Sequence, residues 1–167
     1  VLKVYAKHYQ TGEVIPQELV HKIVKSSKYG QGFATVEYLA ASLLDMDYHT
    51  LKEQLPGMDI EAFEAEAMNK RGLIRQIPPR YRTTYFGHTM EGGYTAGYYS
   101  YIWAEVLDAD AFEAYKETGD IFNPEVASKF RKYVLTPGGI DDAMDMYKNF
   151  RGKEPGIEPL LKNRGLK

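Results

Sequence analysis

FATVEYLAASLLDMDYHTLKEQ, residues 33–54, is a helix written in hydrophobic spacing. Phe33, Val36, Leu39, Ala40, Leu43, Met46 and Leu51 return every three or four positions, the repeat that lines up side chains on one helical face, until Pro56-Gly57 breaks the run. The same period recurs on both sides of this stretch, and strand-like alternation bounded by hairpin turns is nearly absent, so the fold class is all-α. Toward the N-terminus, Pro16 opens a helix in which Leu19, Val20, Ile23 and Val24 share a face, and Tyr29-Gly30 ends it. Leu2, Tyr5, Ala6 and Tyr9 also carry helical spacing with no capping residue ahead of them, which predicts that the sequence opens inside a helix. Toward the C-terminus, Asp59 caps a short helix through Lys70, with Gly72 as its stop. Asn123-Pro124-Glu125 combines a capping side chain, a proline at the first helical position and an acid at the positive end of the helix dipole. That helix bears Val126, Phe130 and Val134 and ends at Pro137-Gly138-Gly139; Asp141 and Asp142 open another bearing Ala143, Met146, Tyr147 and Phe150, which Gly152 stops. A short tail helix falls near Pro159-Leu160-Leu161.

The sequence has 167 residues, enough for one domain that buries roughly 70% of its unfolded surface. It contains no internal repeat, low-complexity tract or linker to divide it, so residues 1–167 are expected to form a single helical unit. With 21 basic and 23 acidic residues spread along it, the chain has no basic field for nucleic acid or an anionic membrane, and both partners are set aside. There is no cysteine, so disulfides and thiolate chemistry are excluded. That composition fits a reducing compartment and would also fit an oxidising one; the cytoplasm is the expected location, with the periplasm open for a longer parent. No apolar run approaches the ~20 residues that a membrane span needs.

Residues 73–93 break the pattern: Pro78-Pro79 imposes extended or turn backbone, and Gly87, Gly92 and Gly93 loosen the chain beyond it. Long ordered loops of this kind carry function more often than short connectors do. Six of the 14 tyrosines lie between Tyr81 and Tyr101. On a helix running from about Tyr94 to Lys116, offsets of four and seven place Tyr94, Tyr98 and Tyr101 on one stripe, while Tyr99 points elsewhere. A buried phenol needs a hydrogen-bond partner, so such a stripe suits a wet polar cleft better than a dry core. Gly92 and Gly93 would let backbone approach a bound chain, and His88 would sit on the rim. The competing reading packs the rings as ordinary core, with their hydroxyls at the surface and a structural histidine beside them.

What is missing limits the chemistry. The histidines are His8, His21, His49 and His88, and no two are four apart, so the H-E-x-x-H helix that presents two zinc ligands is absent. No serine lies in a nucleophile elbow. The pairs Asp45/Asp47 and Asp108/Asp110 read as solvated helix faces rather than acid–base pairs. No metal site is expected on this chain, and taken alone it is expected to be inert.

Tyr85-Phe86-Gly87-His88, followed by Gly92-Gly93-Tyr94-Thr95-Ala96-Gly97-Tyr98-Tyr99-Ser100-Tyr101-Ile102-Trp103-Ala104-Glu105-Val106-Leu107, resembles the signature tract of the thimet oligopeptidase family of zinc peptidases. His8-Tyr9-Gln10-Thr11-Gly12, Leu43-Leu44-Asp45-Met46, Pro78-Pro79-Arg80-Tyr81-Arg82, Arg151-Gly152-Lys153-Glu154-Pro155, Leu160-Leu161 and Arg164-Gly165-Leu166 are similar to the bacterial peptidyl-dipeptidase (dipeptidyl carboxypeptidase) branch. The likeness covers essentially the whole chain. It implies the helical C-terminal part of a zincin of the neurolysin-like kind, with the zinc-binding segment upstream on the same polypeptide and an oligopeptide as substrate. It further implies that Tyr101 stabilises the oxyanion, while His88, Tyr94 and Tyr98 bind substrate beside Gly92 and Gly93, with Arg82 or Arg80 assisting at a terminal carboxylate. Two departures from the family pattern stand in the tract: Glu91, where a small or apolar residue is usual, and Thr95, where alanine or aspartate is frequent. The rivals are an oligopeptidase A-like endopeptidase fragment and a helical peptide-binding module without chemistry.

Overall fold

The computed structural model describes residues 1–53 and 56–167. It is helical: α1 (Leu2–Tyr5), α2 (Gln17–Ser26), α3 (Gln31–His49), α4 (Ile60–Lys70), a 3-10 turn (Thr83–Tyr85), α5 (Gly87–Met90), α6 (Ser100–Glu117), α7 (Pro124–Phe130) continuing into a π-helical stretch (Arg131–Leu135), α8 (Ala143–Arg151) and α9 (Glu158–Arg164). Among the described residues the extended pairing is limited to an isolated antiparallel bridge between Lys7 and Val14. Among them, too, no helix is long and apolar enough to cross a membrane.

The helix starts follow from side-chain capping. Asp59 Oδ1 accepts from the Glu61 and Ala62 N–H groups at 3.0 Å each, and Asn123 Oδ1 accepts from Glu125 and Val126 at the same distance. Asp142 Oδ1 accepts from Met144 at 2.9 Å and Asp145 at 3.2 Å. Gly152 and Gly165, both left-handed, close α8 and α9.

Helix α3 is shorter than its apolar repeat predicts. Thr50 Oγ1 bonds back to the Met46 carbonyl at 2.8 Å and the helix ends at His49. Leu51 therefore lies beyond it, and Gln54 is outside the described residues. The buried side also differs from the expected one. Ala40, Ala41, Ser42, Leu44 and Asp45 face inward, whereas Phe33, Val36, Leu39 and Leu43 stay partly exposed. The alanines are what lets two neighbours approach. Ala40 and Leu44 pack with Ala67 and Met68 of α4, and Ala41 packs with Phe86 and Tyr98. Helix α2 buries none of its residues, and Leu19, Ile23 and Val24 remain exposed.

Helix α6 is the axis of the C-terminal half. One side packs Val106 and Ala109 against Leu160 of α9, and the other packs Ala111 against Tyr147 and Phe150 of α8, with Phe130 and Val134 behind them. Polar ties run along the same contacts. Asp110, almost fully buried, accepts from the Tyr147 hydroxyl at 2.6 Å and from Arg151 Nε at 3.2 Å. Burial, reinforced by the bond to Asp110, pushes the Tyr147 phenol well above its ordinary range. The Arg151 fork then grips Glu117 at 2.8 and 2.6 Å. Arg164 ties α9 to two elements, pairing with Glu105 of α6 and donating to Thr35 Oγ1 of α3 at 2.7 Å.

A buried acid also pins the segment after Pro78-Pro79. Glu64 of α4 accepts from the Thr83 N–H and Oγ1 at 2.8 Å each and from Arg82 Nε at 2.5 Å. Burial pushes its carboxyl up, but the Thr83 and Arg82 bonds together outweigh that and hold it below the ordinary value of 4.5.

Both buried acids can be tested by unfolding. Arg151→Met leaves the Asp110 carboxylate buried with the Tyr147 hydroxyl as its main donor, and urea unfolding should register a loss of about 3 kcal/mol. Because the folded-state value of Glu64 is depressed, its stabilisation is full above pH 4.5 and disappears as pH falls through the folded value. The gap in urea midpoint between the wild type and Glu64→Gln should therefore be widest near neutrality and close in acid.

Candidate functional site

The tyrosine-rich tract folds onto α3 through aromatic packing and main-chain capture. Tyr81 stacks on Phe86 at 5.3 Å between ring centroids, and Phe86 meets Tyr98 edge-on at 5.0 Å. Tyr98 in turn lies 5.1 Å from Tyr38 of α3. Residues 73–93, expected to be irregular, contain the 3-10 turn and the single-turn helix α5, which carries His88. The loop beyond α5 folds back on it: Tyr94 N–H donates to the His88 carbonyl at 3.2 Å, and Thr95 Oγ1 donates to the Thr89 carbonyl at 2.9 Å. A Cβ on Gly92 would stand 2.7 Å from the His88 carbonyl oxygen. Gly92 therefore serves this fold-back rather than the approach of a bound chain, and Gly93 faces open space.

Two side chains of α3 hold the next turn. Asp45, with no exposed surface, accepts the Ala96 N–H on Oδ1 and the Tyr98 N–H on Oδ2, each at 3.0 Å, and His49 Nδ1 stands 2.9 Å from Oδ1. The Tyr38 hydroxyl donates to the Tyr98 carbonyl at 2.5 Å and accepts the Ile102 N–H at 3.3 Å. Ala96 is consequently held at a φ of 53°, in the left-handed region that side chains disfavour. A right-handed helix cannot run through that residue. This corrects the predicted helix start: α6 begins at Ser100, not Tyr94.

The stripe of three tyrosines is accordingly replaced by a fold. Tyr94 and Tyr101 come together with ring centroids 4.8 Å apart, and the His88 ring lies 6.1 Å from the first and 6.5 Å from the second. Tyr98 is not their exposed companion; its ring is core, at 3% exposure, and burial pushes its phenol up while Arg80 opposes the shift. His88, Tyr98, Tyr101, Tyr81, Tyr38 and Arg80 border a cleft of about 310 Å³, together with Glu105 and Arg164. Tyr101, on the lining, and Tyr94, packed against it, are both partly exposed. The Tyr94 phenol, by hydrogen bonding with Tyr101, is the main reason that Tyr101 is pushed up to about 12, so Tyr101 stays a neutral donor across the physiological range.

Of the two arginines singled out from the sequence, Arg80 reaches this cleft and Arg82 does not. Arg82 is engaged by Glu64 and borders a separate recess with Thr83 and Tyr85. The reading of the acidic pairs as solvated is also corrected, because Asp45 and Asp110 are buried and fully engaged. Asp47 pairs with Arg71 at 2.6 Å. Sequence reasoning missed Asp45, Tyr38 and Arg164 as parts of the site. For Asp45 a signal was present, since an acid between Leu44 and Met46 sits amid an apolar helical repeat. Among the described residues no group of three His, Cys, Asp or Glu side chains could hold a metal ion.

Residues 1–166 match the model of Peptidase family M3, and the chain belongs to that family. It is 40% identical over 163 residues to the dipeptidyl carboxypeptidase of Escherichia coli (strain K12), which covers 97% of this chain and 24% of that protein. It is 37% identical over 163 residues to oligopeptidase A of the same organism, covering 96% of this chain and 23% of the relative. Saccharolysin of Saccharomyces cerevisiae is 34% identical over 164 residues, covering 96% of the chain and 22% of the relative. The chain thus spans less than a quarter of the length of each of these relatives.

The two neighbouring glycines provide a direct test of the fold-back. Gly92→Ala should cost roughly 1–3 kcal/mol, because the clash is with backbone. Gly93→Ala should be neutral or stabilising within about 1 kcal/mol, and thermal unfolding of the two variants checks the contrast.

Proposed function

We propose that this chain forms the substrate-side wall of a zinc-dependent peptidyl-dipeptidase that releases dipeptides from the C-terminus of oligopeptides, with the zinc ligands and general base on the remainder of a longer polypeptide. The observation that carries this reading is the convergence of the His88, Tyr94 and Tyr101 rings, two of which, His88 and Tyr101, line one cleft. Membership of the family and the 40% identity to a dipeptidyl carboxypeptidase support it. Zinc would supply a polarised carbonyl and an activated water. The described residues offer no ligand set for it, so the roles assigned here belong to this chain's own groups.

Tyr101 donates its hydroxyl proton in a hydrogen bond to the oxyanion that develops on the scissile carbonyl. A neutral phenol with a raised value keeps that proton, and a donor aimed at developing charge is worth on the order of 3 kcal/mol. Tyr94, in contact with Tyr101, fixes its orientation and hydrogen-bonds the peptide backbone. His88 lies on the leaving-group side. An enzyme that counts two residues from a free carboxylate needs a cation there, and Arg80 on the cleft wall supplies it, whereas Arg82 is committed to Glu64.

Oligopeptidase A-type internal cleavage is the second reading, favoured by the 37% identity to that enzyme. Product analysis on a long peptide separates the two, because a peptidyl-dipeptidase yields a ladder of dipeptides and loses activity when the substrate's C-terminus is amidated. In the full-length protein, Tyr101→Phe should lower kcat roughly 100-fold with little change in KM. Wild-type turnover in that variant removes Tyr101 from the mechanism. The chain by itself, assayed with zinc and a blocked tripeptide, should show no hydrolysis.

A further inference from the structure

We propose that Asp45 and Tyr38 of α3 are positioning residues for the Tyr94–Tyr101 pair, holding residues 96–102 in the one backbone path that brings the two phenols together. Its catalytic consequence rests on the role proposed above for Tyr101. Asp45 and Tyr38 are seven residues apart, two helical turns, so they project from the same face of α3. Between them they engage the N–H groups of Ala96, Tyr98 and Ile102 and the carbonyl of Tyr98. Neither end of this grip is replaceable locally. Tyr99 offers no side-chain cap to α6, so the Tyr38 hydroxyl takes the Ile102 N–H, a donor in the first turn.

The alternative path is visible in the sequence itself. Residues 94–101 have helical spacing, and without a carboxylate to receive the Ala96 and Tyr98 N–H groups the backbone's own remedy is to extend α6 backward. In such a helix Tyr94 and Tyr101 would be offset by about 10.5 Å along the axis, seven residues at 1.5 Å each. In the folded protein their rings are 4.8 Å apart. Ala96, held at a φ of 53°, is the point where the two paths diverge. The α3 side chains therefore select the fold-back over the helix, and with it the phenol pair at the cleft. Asp45 is itself kept in place by His49, whose Nδ1 faces both the Asp45 carbonyl at 2.8 Å and the carboxylate.

The test is made in the full-length peptidase. Tyr38→Phe and Asp45→Asn should each lower kcat about 10- to 100-fold while KM stays within about threefold, because a misplaced donor harms the transition state more than binding. Combined with Tyr101→Phe, neither should reduce kcat below the Tyr101→Phe value, since all three act through one hydroxyl. Losses that multiply, or single variants with wild-type turnover, overturn the proposal while leaving the role of Tyr101 intact. An activity-independent measurement covers the case in which Tyr101→Phe proves silent. With tyrosine-selective labelling, the nuclear Overhauser contact between the Tyr94 and Tyr101 rings should be present in the wild type and lost in Tyr38→Phe. A contact that survives in Tyr38→Phe overturns the proposal. Tyr38→Phe keeps its ring against Tyr98, so the test stands even if Asp45→Asn fails to fold.

Discussion

A carboxylate with no exposed surface, Asp45, sits one turn from the C-terminal end of α3 and receives two main-chain N–H groups from a segment more than fifty residues away. Burying such a charge without partners is prohibitively costly. With the Ala96 and Tyr98 N–H groups and the His49 ring around it, the charge is matched, and the same bonds forbid the loop from becoming helix. The start of α6, the depth of Tyr98 and the meeting of Tyr94 with Tyr101 all stem from that one constraint.

The rest of the fold uses the same device. Among the described residues the core falls into four small apolar clusters, and several helices are too short to persist alone. Acids with little exposure register these pieces: Glu64 fixes the chain after Pro78-Pro79 onto α4, and Asp110 fixes α8 on α6 through Tyr147 and Arg151. Such pairs add little net stability over well-packed apolar side chains, but each is costly to break on one side, so they specify geometry.

The cleft is lined by neutral phenols together with the cations Arg80 and Arg164. Tyr101, whose phenol its neighbour Tyr94 pushes further above the ordinary value, is a neutral donor, and Arg80 stands on the wall, while Glu105 answers the charge of Arg164. Dipeptide release and internal cleavage differ in whether a terminal carboxylate is engaged. Under the proposed function, the contrast between Arg80, on the cleft, and Arg82, committed to Glu64, bears on that choice.

Helical class, the capped starts at Asp59, Asn123 and Asp142, the glycine stop at Gly152 and membership of the peptidase family were all legible in the sequence. Each depends on residues within a few positions of one another, or on a contiguous tract. The start of α6 was not legible, nor was the burial of Tyr98, the division of labour between Arg80 and Arg82, or the inward turn of Asp45 and Asp110. Local spacing counts offsets along the chain and favours the helix from Tyr94. What overrules it is a hydrogen-bond acceptor on α3, which meets residues 96 and 98 only after the chain has folded back on itself.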